Sequence, residues 1–131
     1  MLLQLAWRWG PVLAQMTAIF LASNMSDVPD LPGGLSSYTG HLIGYAILGA
    51  LAIRAFAGAA WAGVTLGAAV RAVALSAAYG VTDEFHQSFV ANRMPDVGDW
   101  VVDVAGAVLA VSAALVLARA LRRRNAGTGG V

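Results

Sequence analysis

Four stretches of this chain, about 9–25, 37–54, 63–82 and 100–118, carry scarcely a charged side chain. A hydrocarbon layer about 30 Å thick takes roughly 20 apolar residues of helix to cross, and a lipid-exposed backbone must satisfy its own hydrogen bonds. The stretches therefore predict an all-α, integral membrane four-helix bundle. Composition agrees: 59% of the residues are apolar and the mean hydropathy is +0.70, too oily for a soluble domain of 131 residues. One domain, 1–124, is expected, with 125–131 as a flexible tail. Between the stretches, "SDVPDLPGG" and "ANRMPDVGD" are rich in Pro, Gly and Asp and read as loops. Pro11 suits a first turn, and Trp7 and Trp9 suit a membrane interface. A cleaved signal peptide ending near "FLASN" is the other reading of the first stretch, but Arg8 behind an apolar start makes a poor n-region.

Charge placement orients the bundle. Basic residues mark the cytoplasmic side, so both termini are expected there, with Arg8, Arg54, Arg119, Arg122, Arg123 and Arg124. The acids Asp27, Asp30, Asp83, Glu84, Asp96, Asp99 and Asp103 then gather at the outer face, joined by Arg93 alone among the basic residues. Arg71 falls near mid-membrane, where it must find a partner or snorkel, the latter if its helix starts a few residues late. A net charge of +1 with no Lys gives no reason to expect a nucleic-acid partner. The lack of Cys excludes disulfides, thiolate catalysis and Cys-ligated zinc. Small residues at four-residue spacing, Gly40/Gly44, Gly63/Gly67 and Gly106/Ala110/Ala114/Ala118, offer close helix contacts.

The polar residues fall into three sets at one membrane face. His41 and Tyr45 are four apart on the second helix. Asp83, His86 and Gln87 share a face if the third helix continues through "TDEFHQ". Asp99 and Asp103 are four apart on the fourth, with Asp99 placed to cap it. Met94 and Pro95 read as loop punctuation and Trp100 as an interfacial anchor.

In order and spacing, "HLIGY", "DEFHQSFVANR" and "DWVVDVAGAVLA" resemble the VanZ-like family of small membrane proteins, named for one associated with resistance to the glycopeptide teicoplanin. The similarity spans about 37–111 and is carried by Asp83-Glu84-x-x-Gln87 followed by Arg93, Asp99 and a polar residue at 103. That family usually has Asp-Lys where this chain has Ser37-Tyr38, and commonly Asn where it has Asp103, so the site here is more negative. The resemblance implies a four-helix membrane fold with an outward-facing polar cluster.

Three functional classes fit these residues. In the first, a multi-pass cell-membrane protein uses His41, Tyr45, Asp83, Gln87, Arg93, Asp99 and Asp103 to bind an extracytoplasmic ligand. A lipid-linked cell-wall precursor or an amphiphilic antibiotic would serve, Arg93 holding an anionic group. In the second, a membrane hydrolase or transferase acts on a lipid-linked substrate with Glu84 or His86 as general base. In the third, the groups only satisfy one another, an Arg93 salt bridge to Glu84 or Asp99 tying the helix ends. His41, Glu84, His86 and Asp103 are metal-ligand types, but no HExxH or paired-His spacing is present, and neither metal nor cofactor is expected.

Overall fold

The computed structural model describes residues 1–26 and 37–128. Among them are four α-helices and no strand: α1 (Leu2–Ser23), α2 (Ser37–Phe56), α3 (Leu66–Gln87) and α4 (Val97–Thr128), with a 3₁₀ turn, Trp61–Gly63, before α3. Asp27, Asp30 and most of the first loop read from the sequence lie outside the described residues.

Local chemistry sets two of the helix starts. Thr65 accepts the Ala68 N–H at 3.2 Å and caps α3. Asp96 Oδ1 accepts the Gly98 N–H at 2.7 Å, so α4 begins at Val97, two residues before Asp99. Asp96, behind Pro95, takes the capping role expected of Asp99, which frees the Asp99 carboxylate to face another helix. At its far end α4 continues to Thr128, through part of the stretch that reads as tail.

The helices run up and down in order, and α2 packs most extensively along α4. That seam depends on two glycines. A Cβ on Gly49 would stand 2.9 Å from the Ala107 Cα, and one on Gly106 would run into the Leu42 carbonyl. No other residue fits, because the backbones themselves are in contact. The Gly63/Gly67 pair does no such work: Gly63 packs on the Ala57 backbone and Gly67 is exposed. Trp100, read from the sequence as an interfacial anchor, donates its indole N–H to the Ala77 carbonyl of α3 at 3.0 Å.

Ala52, Ala55, Ala68, Ala72, Ala107 and Ala118 fill the interior, while Leu13, Leu21, Val70, Val81, Leu109 and Val116 face outward. Small inside and large apolar outside is what a lipid solvent favours. α2 and α4 are long and apolar enough to cross a membrane. α1 and α3, at 22 residues each, have the length. Apolarity separates them, and in α3 the reason is Arg71, Asp83 and Glu84.

Arginines close one end of the bundle. Arg8 donates twice to the Ala55 carbonyl, at 3.2 and 2.9 Å. Arg54 donates to the Trp7 carbonyl at 3.1 Å and lies over its ring. Arg122 reaches the Val64 carbonyl at 3.2 Å. Because α3 starts at Leu66, Arg71 sits in its second turn and turns back toward this end, bonding the Gly67 carbonyl at 3.0 Å with its guanidinium over Phe56.

Candidate functional site: a carboxylate–histidine cleft

At the opposite end α3 does not stop with its apolar stretch. It runs on through Gln87, putting Asp83 and Gln87 on one buried face, where the Gln87 amide donates to Asp83 Oδ2 at 3.4 Å. Facing them from α2 is His41. Its Nδ1 lies 2.9 Å from Asp103 Oδ1, and its Nε2 lies 3.7 Å from Asp99 Oδ2, both acids coming from α4. A ring nitrogen of His41 and carboxylate oxygens of Asp83 and Glu84 all lie within 4.8 Å of one another. Three helices thus bring His41, Asp83, Glu84, Asp99 and Asp103 together, and all four carboxylates are buried.

Glu84 Oε2 accepts the Asp96 N–H at 2.8 Å, tying the end of α3 to the start of α4, while Oε1 is buried without a partner. Beyond the apolar stretch that ends at Thr82, burial pushes the Glu84 carboxyl above the usual carboxylate range, against the opposing pull of the Asp96 N–H. Such a group can hold or release a proton, or accept a cation in its place.

Above this floor opens a cleft of about 290 Å³ between α1, α2 and α3. Ala18, Ile19 and Ala22 give it an apolar wall, and His41, Tyr45, Asp83 and Gln87 a polar base, with Arg93 also lining it. Arg93 Nε donates to the Met25 carbonyl at 3.2 Å. Among the described residues it makes no ion pair with Glu84 or Asp99; the ion pairs here are those of His41. Tyr45 is fully buried with its hydroxyl unpartnered. His86 stands apart from the cluster: its ring lies 4.4 Å from the Phe20 ring on α1, and its Nε2 has no partner.

Sequence reasoning missed the contribution of α1. Ser23 Oγ donates to Asp83 Oδ1 at 2.6 Å, and Gln15 lines the cleft while bonding the Gly44 carbonyl at 3.0 Å. Their only signal was being polar in an apolar helix. Tyr38, noted only as a departure from the family pattern, bonds Asp96 Oδ2 at 3.1 Å.

An all-helical bundle with lipid-type outer surfaces and a buried carboxylate–histidine cluster at one end defines a small membrane-type protein with a polar cleft. The family model described as VanZ/LLP1 matches residues 12–119, and the chain belongs to that family. No curated protein and no solved structure matches it significantly.

Proposed function

We propose that the chain is a multi-pass protein of the cell membrane, both termini cytoplasmic, whose carboxylate-rich end faces outward and binds the headgroup of an amphiphilic cell-envelope ligand. The candidates are a lipid-linked cell-wall precursor and an antibiotic of the glycopeptide class. The cleft carries the reading. An apolar wall on α1 beside a hydrogen-bonding floor suits a molecule with one oily and one polar part, as ligand sites generally do. Arg93, whose bond among the described residues is to the Met25 carbonyl, is the group that would meet an anionic part of that ligand. The family name supports the link to resistance.

The reading is tested with teicoplanin as probe and by mass spectrometry of lipids that co-purify. Ala22→Trp fills the cleft without changing charge, and should abolish teicoplanin binding and strip co-purified lipid while thermal stability holds. Equal binding by Ala22→Trp and the parent overturns it. Reporter fusions after Arg54 and Arg124 should read cytoplasmic, and one after Pro95 external; a cytoplasmic reading at Pro95 overturns the outward placement.

A further inference from the structure

Buried charges are stable only when paired or when they coordinate a metal. Asp83, Glu84, Asp99 and Asp103 are all buried at one end of the bundle, and among the described residues His41 makes ion pairs with Asp99 and Asp103 while Asp83 and Glu84 have none. Some of the charge is absorbed by Ser23, Gln87 and the Asp96 N–H. Asp103 Oδ2 and Glu84 Oε1 are not absorbed. Glu84 is 9% exposed and its Oε1 meets no donor.

The histidine is arranged as a ligand. Asp103 Oδ1 lies 2.9 Å from Nδ1; a neutral imidazole that gives its proton to that carboxylate has its Nε2 lone pair left for the cluster. A carboxylate behind an imidazole is the usual way of fixing the tautomer of a metal-binding histidine. Nε2 then stands 3.7 Å from Asp99 Oδ2, too far for a hydrogen bond. Two donors each about 2.1 Å from one tetrahedral ion stand about 3.4 Å apart, so the gap suits a shared cation. The mutual spacing of His41, Asp83 and Glu84, within 4.8 Å, leaves each donor less than about 1 Å from such a bond length.

We propose that His41, Asp83 and Glu84, with Asp99 as a fourth donor and Asp103 orienting the histidine, form a binding site for a divalent cation of the zinc or manganese type. One imidazole among carboxylates selects that class over the all-oxygen sites of calcium and magnesium. The site was not legible in the chain, because its donors come from three helices with no ligand motif on any one of them. It lies at the floor of the cleft but does not depend on an organic ligand entering it.

The test uses the full-length, untagged protein in detergent, stripped with chelator and titrated with Zn²⁺ or Mn²⁺ alone. One equivalent should bind saturably and raise the unfolding temperature. Glu84→Gln and Asp83→Asn keep side-chain shape and should each weaken binding at least tenfold. X-ray absorption of the zinc-loaded parent should show an imidazole in an otherwise oxygen shell. Absence of saturable binding by the parent overturns the site whatever the variants do, as does undiminished binding by Glu84→Gln or a shell without imidazole. Teicoplanin binding by the metal-stripped protein is scored separately, so loss of the cation site and loss of the cleft reading are distinguishable.

Discussion

The two ends of the bundle treat charge in opposite ways. At one, Arg8, Arg54 and Arg122 each reach across to a backbone carbonyl of a neighbouring segment. That of Ala55 lies in the last turn of α2, where acceptors go unpaired within the helix, and that of Trp7 is freed because Pro11, four residues on inside α1, has no N–H to give it. At the other, buried carboxylates crowd around one histidine, and Glu84 Oε1 and Asp103 Oδ2 go without partners. A charge spent on a carbonyl is a fastening. A buried acceptor with no donor is available for something else, since it costs about 1 to 3 kcal/mol while it stays unmade. The difference marks the arginine end as architecture and the carboxylate end as the site.

The largest expected effect tests whether the ends can be separated at all. Both depend on the α2–α4 seam, and Gly106 has the Leu42 carbonyl where a Cβ would go. Gly106→Val should cost about 3 kcal/mol or more, because backbone rather than a side chain would have to yield, and should abolish cation and amphiphile binding together. Near-parental thermal stability in detergent would mean that the seam is looser than its geometry.

A smaller effect should fall on one end alone. Arg8→Gln removes a charged, two-pronged bond to Ala55, worth about 1.5 to 3 kcal/mol for a charged donor. The unfolding temperature should drop while zinc and teicoplanin affinities stay within twofold. A tenfold fall in affinity would show the two ends coupled and break the comparison.

How legible each end was follows from how its residues repeat. Helix positions came from charge-free length, and the convergence of His41, Asp99 and Asp103 from spacings of four, which a helix turns into shared faces. Extension of α3 through Gln87 was the condition for Asp83 to join them, and Thr82 and His86 gave it no cap or break. Ser23 and Gln15 were not readable, since one polar side chain in an apolar helix has no period and its partner lies about 60 or 29 positions away. The arginine fastenings were hidden for a related reason: a carbonyl acceptor leaves no trace in residue type. Gly49 was passed over because it lacks a four-residue companion, although it approaches Ala107 more closely than Gly44 approaches Ile19.

The smallest effect is the most discriminating. Were the carboxylate end a clamp of the same kind as the arginine end, Glu84 and Arg93 would be its natural pair, and removing either charge would leave the other buried and uncompensated, at about 3 to 5 kcal/mol. The structure gives them separate partners, the Asp96 N–H for Glu84 and the Met25 carbonyl for Arg93. Gln at 84 can still accept from Asp96, and Gln at 93 can still donate to Met25. Glu84→Gln, Arg93→Gln and the double variant should therefore add, with a coupling below about 0.5 kcal/mol in the unfolding free energy. Glu84→Gln alone should leave stability unchanged or slightly higher, because the amide puts no charge into the buried site. Strong destabilisation by each single change with rescue in the double would make this end a fastening after all, whereas simple addition together with lost cation binding in Glu84→Gln leaves its charge serving a ligand.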